Sequence, residues 1–349
     1  MPLDVFHLRN KVVRDYEAYV RSFIHIQDDR LRGYIEEELD RNLLWPDATL
    51  QLNPAYEHGH TLGELAERGD IRPETARFFG ADIQLYRHQE EALAHARERR
   101  SFVVSTGTGS GKSLTYLIPI VDDLFRKPRR PGSGVRGLIV YPMNALINSQ
   151  IEALEKFAEG WGADCPVRFA RFTGEVGRER RNEILDDPPD ILLTNYVMLE
   201  YMMLRPTNRT LLNQSTRDLR FLAVDELHVY RGRQGADVAM LLRRVAQRVG
   251  SPDLISIGTS ATLVTGSDHG ERRAAIAGLG SRLFGTPVAT EAVVEETLER
   301  VCSVPAPTER GALAEAVRME PPAPNFESVR AHPLAAWAEE AFGLEEHQG

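Results

Sequence analysis

Lys112 and Ser113 close a run in which Gly107, Gly109 and Gly111 alternate with Thr106, Thr108 and Ser110. Glycines let backbone N–H groups turn toward phosphate oxygens, and a helix start just beyond adds partial positive charge. That places Lys112 for the β- and γ-phosphates of a nucleotide and the Ser113 hydroxyl for Mg²⁺. A second cluster, Asp225-Glu226-Leu227-His228, ends the apolar run Phe221–Val224. Nucleotide hydrolysis needs one carboxylate for the metal and another group to orient the attacking water. Adjacent acids at a strand end can point different ways, which gives Asp225 the metal and Glu226 the water. Without the glycine loop upstream, two such acids would be an ordinary solvated pair.

Both clusters need strands that end beneath them. Phe102 to Val104 reads as a buried strand leading into the glycine loop. Strand-like runs follow at Gly137–Tyr141, Val167–Phe172, Asp190–Thr194, Phe221–Val224 and Leu254–Gly258, with helical runs at 113–125, 144–159, 196–204 and 234–249. This alternation predicts an α/β fold with a mostly parallel sheet covered on both faces. Ligands of such sheets bind at the carboxyl ends of the strands, where the unusual residues cluster. Pro119 should kink the first of these helices.

The flanks are less informative. Val12, Val13, Tyr16, Tyr19, Val20, Phe23 and Ile24 recur at helical spacing, so residues 4–44 read as a helical extension. Residues 45–60 read as an ordered wrap, with His58 and His60 a surface pair rather than a metal site. Short helices are expected at 61–68 and 73–80, and another over Glu90–Arg100. Beyond 263, Leu279–Phe284 and Glu291–Val301 read as short helices, Pro305–Pro324 as loop and His332–Gly343 as a helix. The expected organisation is an extension over 1–80, a nucleotide-binding domain over 81–285, and a helical, proline-rich segment over 286–349.

The 349 residues carry a net charge of −9, with 42% hydrophobic and 27% charged residues, as in ordinary globular chains. Residues 263–349 hold 14 acidic and 7 basic residues, a net of −7, so residues 1–262 carry only −2. Local basic patches on the front part remain compatible with the overall charge. Two distant cysteines, Cys165 and Cys302, make no disulfide framework or zinc pattern, and with no signal peptide or membrane span read, a cytoplasmic protein is expected.

Thr106 stands where the general G-x-x-x-x-G-K-[ST] pattern has its first glycine. In that form Thr106–Ser113 resembles motif I of superfamily 2 helicases, and Asp225-Glu226-Leu227-His228 resembles their motif II, the DEAH-type box. Further pieces fall in helicase order. Gln89 resembles the upstream glutamine that reads adenine, an amide being able to donate and accept. Pro142 and Asn144, within Tyr141–Leu146, look like motif Ia, and Thr173-Gly174 like motif Ib. Thr194-Asn195 partly matches the neighbouring strand-end element, and Ser260-Ala261-Thr262 resembles motif III. The set, covering about residues 85–265, resembles superfamily 2 DEAD/DEAH-box helicases. The stretch Asp225–Arg244 and Val140–Ala145 are similar to large bacterial helicases of the mitomycin-repair and phage-defence type.

The resemblance implies a RecA-like ATP-binding lobe using ATP and Mg²⁺, with Lys112, Asp225, Glu226 and His228 in catalysis. It implies that Pro142, Asn144, Thr173, Gly174 and Thr194 bind a sugar–phosphate backbone, DNA ahead of RNA, and that Ser260 and Thr262 couple hydrolysis to strand contact. Nothing after Thr262 resembles motifs IV to VI, so a second RecA-like lobe is expected elsewhere in a longer protein. Arg168, Arg171, Arg178, Arg180 and Arg181 form one candidate basic cluster, and Arg231, Arg233, Arg243, Arg244 and Arg248 another. The alternative for each arginine is a solvated helix face paired with local acids. Two other readings of the chain are a non-catalytic lobe that holds ATP without turnover and a small-molecule kinase.

Overall fold

The computed structural model describes residues 5–40, 55–107, 109–205, 211, 213, 218–261 and 269–344. The chain divides into two compact units, Met1–Leu52 and Asn53–Gly349. In the first, α1 (Val5–Ser22) and α2 (Asp29–Asp40) are joined by Arg21, which bonds Glu17 at 2.7 Å and Asp40 at 2.6 Å. These are the helices expected from the spacing of apolar residues there.

The second unit opens with a small antiparallel pair, β1 (His58–Thr61) and β2 (Gln84–Tyr86), around α3 (Leu62–Glu67) and α4 (Pro73–Phe79). Thr61 and Glu64 cap α3 reciprocally, the Glu64 carboxylate accepting from Thr61 N–H at 2.7 Å. Helix α5 (Arg87–Arg97) starts earlier than expected, which puts Gln89 in its first turn.

Seven strands then form the main sheet: β3 (Phe102–Ser105), β4 (Gly137–Tyr141), β5 (Phe169–Phe172), β6 (Ile191–Asn195), β7 (Phe221–Val224), β8 (Ile255–Ser260) and β9 (Val293–Glu295). Their spatial order is β5-β6-β4-β7-β8-β3-β9, and every pairing is parallel. Between the strands lie α6 (Leu114–Arg126), α7 (Asn144–Trp161), α8 (Arg178–Asp186), α9 (Tyr196–Leu204), α10 (Gly232–Val249) and α11 (His269–Phe284). Successive strand residues point to opposite faces. Phe102 stacks on His95 of α5 at 5.9 Å between ring centroids. The next residue, Val103, meets α11, which approaches so closely that a Cβ at Gly280 would lie 2.7 Å from it. Helices therefore cover both faces, and the largely apolar strands β3, β4 and β7 are buried throughout.

Two expectations are corrected. Glu291–Val301 is not a helix: Val293 and Val294 are fully buried in β9, beside β3. Helical propensity of the flanking glutamates is overridden there by a vacant sheet edge that takes two β-branched side chains. The stretch 305–324 contains α12 (Arg310–Arg318), and the last expected helix is α14 (Pro333–Ala338), after α13 (Phe326–Arg330), followed by a π-helical turn over Glu339–Leu344. Helix α6 runs on through the buried Pro119. Among the described residues, no helix is long and apolar enough to cross a membrane.

Candidate nucleotide and nucleic-acid site

The glycine loop leaves the carboxyl end of β3, between β8 and β9. Gly109 and Gly111 take positive φ, 82° and 69°, which a side chain would strain. The hydroxyls of Thr106 and Ser110 meet at 2.6 Å across the buried base of the loop. Lys112 Nζ donates to the carbonyls of Thr106 at 3.0 Å and Gly107 at 2.9 Å, which folds its ammonium over the loop. Ser113 leads directly into α6, whose first N–H groups face this end of the sheet. Thr108 lies outside the described residues, as does Thr262.

Gln89 is buried against this loop. Its Oε1 accepts from Tyr86 N–H at 2.9 Å, and its Nε2 donates to Ser110 O at 3.3 Å and Gly111 O at 3.0 Å. A Cβ on Gly111 would come within 2.5 Å of that nitrogen, so a side chain there would push the Gln89 amide from its bonds to the loop. His88 adds a bond to Ser110 O at 3.0 Å. Burial, and then the charge of Lys112, push its imidazole below the usual value, which favours a neutral ring with Nε2–H as donor.

Across β8, the Asp-Glu-x-His cluster sits at the end of β7. Asp225 N–H extends the ladder to Val140 O at 2.9 Å. Thr259, on β8, donates its hydroxyl to Asp225 Oδ1, while Thr259 Oγ1 itself accepts from Glu226 N–H at 3.2 Å. Burial raises the Asp225 carboxyl to about 6; the Thr259 bond opposes that rise, the Glu226 charge adds to it and Lys112 lowers it. Glu226 sits in the left-handed region at φ 55°, a strained conformation for a residue with a Cβ. His228 Nδ1 lies 3.1 Å from Glu226 Oε2 and 3.2 Å from Ser260 Oγ, so the imidazole spans the two strand ends. A divalent cation fits this donor set, because Asp225 is a buried carboxylate short of positive charge and Ser113 offers a hard hydroxyl oxygen.

Pro142, Asn144, Thr173, Gly174 and Thr194 gather at the carboxyl ends of β4, β5 and β6, which are neighbours in the sheet. Asn195 Nδ2 donates to Asn144 Oδ1 at 2.7 Å, and Asn144 Nδ2 donates to Glu175 Oε1 at 2.9 Å. Asn195 also caps α9, accepting from Met198 N–H at 2.8 Å. Thr173 and Thr194 are buried, the latter donating to Phe172 O at 2.7 Å, so both shape the backbone rather than offer hydroxyls outward. Gly174 is exposed at the tip between them.

Four of the five arginines of the first basic cluster are engaged by neighbouring groups. Arg168 pairs with Asp187 at 2.8 Å, Arg171 donates to Asn148 at 2.6 Å and Arg180 pairs with Glu183 at 2.6 Å. Arg181 turns inward, donating to Thr173 O at 3.3 Å and Val176 O at 3.0 Å, and so clamps the loop bearing Gly174. In the second cluster Arg243 bonds Arg282 O at 2.5 Å and Arg248 bonds Asn213 at 2.6 Å. Arg233 and Arg244 instead line a groove of about 650 Å³ between α9 and α10, together with Tyr196 and Met240. A smaller cavity of about 260 Å³ lies at the opposite end of the sheet, beside Phe221 and Ile255, where Asp253 already pairs with Arg99 and Arg220.

Thr259 and Glu175 were not singled out by sequence reading. Thr259 is one of three hydroxyl residues in Ile255–Ser260, so the sequence carried no signal that distinguished it. Glu175 follows Thr173-Gly174 directly, but its partner Asn144 is distant in sequence.

The match to known proteins follows this geometry. Druantia protein DruE of Escherichia coli (strain UMEA 4076-1) is 27% identical over 370 residues, covering 73% of this chain and 20% of that protein. The uncharacterized ATP-dependent helicase MJ1574 of Methanocaldococcus jannaschii is 37% identical over 47% of this chain and 23% of its own length. The chain thus spans a minor part of the length of both relatives. In fold it is similar to the DUF1998 helicase MrfA in its crystal structure bound to DNA and AMPPNP, with a TM-score of 0.57 and 21% identity over 88% of this chain and 43% of that one. Residues 86–268, more than half of the chain, match the DEAD/DEAH box helicase family, and the chain belongs to that family.

Proposed function

We propose that this chain is the ATP-binding lobe of a helicase or translocase that couples ATP hydrolysis to movement on nucleic acid, DNA ahead of RNA. The observation that carries the reading is the Thr259 hydroxyl, which bonds Asp225 and Glu226 together across β8 from the glycine loop. Lys112 and the loop amides hold the phosphates, and Gln89, whose amide bonds Tyr86, Ser110 and Gly111, holds the loop in shape rather than reading adenine. Glu226 orients the attacking water and accepts its proton, with His228 beside it. Asp225 and Ser113 would hold Mg²⁺, which when bound neutralises phosphate charge. Asn144, Pro142 and Gly174 present the strand track, with Thr173 and Thr194 buried behind it, and Ser260, with Thr262, relays strand contact to His228. A second RecA-like lobe of a longer protein would supply the remaining charge stabilisation. A cytoplasmic setting accompanies this reading.

The test is ATP turnover by the purified chain, with and without single-stranded DNA, beside Lys112→Ala and Glu226→Gln variants. Turnover that DNA stimulates and both variants lose supports the proposal. Nucleotide binding with no turnover under any condition replaces it with the non-catalytic lobe.

A further inference from the structure

The glycine loop is held from a side that the hydrolysis chemistry does not use. β9 runs parallel to β3 with Glu295 opposite Ser105, so Glu296 emerges directly beside the start of the loop. Its Oε2 accepts from Gly107 N–H at 2.5 Å. The chain on either side of that contact is anchored through its backbone. Glu57 N–H donates to Thr297 O at 2.8 Å and Glu299 N–H to Ala55 O at 2.7 Å, which pairs residues 55–57 with 297–299. This pairing delivers Tyr56 to the same spot: a Cβ on Gly107 would lie 3.0 Å from the Tyr56 hydroxyl and 3.3 Å from Glu296 Oε2. The Tyr56 ring packs edge-on against Tyr86 and His88, with centroids 5.2 Å and 5.7 Å away. His88 and Gln89 in turn hold Ser110 and Gly111. The loop is therefore gripped at its amide-bearing start and at its carbonyl-bearing end.

We propose that Glu296 and Tyr56 are positioning residues for nucleotide binding, fixing the Gly107 turn so that the loop meets phosphate already shaped. This rests on the nucleotide reading of the loop. The backbone pairing of 55–57 with 297–299 and the β3–β9 ladder hold the fold without the Glu296 carboxylate. A carboxylate beside an anion-binding loop carries the same charge sign as the ligand. Its bond to Gly107 N–H offsets that repulsion by ordering the loop before phosphate arrives. Burial, and then the nearby Glu296 charge, push the Tyr56 phenol above its usual value, consistent with the two side chains sharing one enclosed corner.

The experiment titrates the full chain with a fluorescent ATP analogue and Mg²⁺, following anisotropy, with thermal melting as a control. Glu296→Ala is expected to weaken binding about tenfold, the equivalent of one lost charge-assisted hydrogen bond. Glu296→Gln still offers an oxygen to Gly107 and should stay within about twofold of wild type, while Tyr56→Phe should weaken binding about threefold. Equal affinity of wild type and Glu296→Ala overturns the proposal. So does tighter binding by Glu296→Gln, which would make the carboxylate a competitor of phosphate, or binding by Gln as weak as by Ala. If Glu296→Ala fails to fold, Tyr56→Phe decides: wild-type affinity there overturns the proposal, and weakened affinity with an unchanged melting temperature supports it. A wild-type chain that binds no nucleotide is a separate failure, that of the ATP reading itself.

Discussion

The hydroxyl of Thr259 donates to Asp225 Oδ1 and accepts from Glu226 N–H at 3.2 Å, so one side chain of β8 sets both acids at the end of β7. Thr259→Val keeps the shape and removes both bonds from a buried place. Leaving a buried carboxylate oxygen without its donor should lower stability by about 1–3 kcal/mol. ATP turnover should fall more than nucleotide affinity does. Thr259→Ser should retain most of both, as judged by thermal melting and steady-state kinetics.

The Asp225 carboxyl gives a pH dependence whose sign is fixed by its direction of shift. It is raised from 3.8 to about 6 in the folded chain, mainly by burial. Between those values the folded state holds a proton that the unfolded state has lost. Stability of the ligand-free protein therefore declines as pH rises from about 4 to about 6, by up to about 3 kcal/mol, and levels off above. Asp225→Asn should match wild type near the lower end and exceed it at neutral pH in urea denaturation. Affinity for Mg²⁺-nucleotide should move oppositely in the wild type, rising as Asp225 ionises.

Glu226 occupies a left-handed conformation with φ 55° and ψ 57°. A Cβ there costs roughly 1–2 kcal/mol, which glycine does not incur. Glu226→Gly should therefore melt higher than Glu226→Gln, while both lose turnover. Equal melting temperatures would count against stored backbone strain at this acid.

The arginines divide by their partners. Arg168 is engaged by Asp187, so Arg168→Ala should leave the salt dependence of single-strand binding unchanged. Arg233 faces the α9–α10 groove and should lower the log–log salt slope by about one on replacement with alanine. Arg181→Ala should weaken binding through the loop it clamps, with little change in slope, because its guanidinium holds the Thr173 and Val176 carbonyls.

The parts legible in the sequence were those whose residue types are scarce and local. Three alternating glycines ahead of Lys112-Ser113, and Asp225-Glu226 after an apolar run, carry their chemistry within a few residues. The central strands were legible because burial on both faces leaves near-continuous apolar runs. What stayed hidden depends on partners far along the chain. Nothing around Val293 marks it as the neighbour of Val103, and glutamates on both sides imitate a helix. Arg168 and Arg171 resemble phosphate ligands until Asp187 and Asn148 are seen beside them. Thr259 drew no notice because only the fold turns its hydroxyl toward Asp225.

The position of β3 has a consequence for how the protein is made. Phe102 pairs with Ile257 and Val103 with Val293, so the strand that bears the glycine loop has neighbours synthesised long after it. Closing such distant pairs is slow, and it requires Val293 to have left the ribosome. The nucleotide loop is consequently among the first parts of the sheet to be translated and among the last to be enclosed. A nucleotide that binds only the enclosed form draws the nascent chain toward completion by mass action.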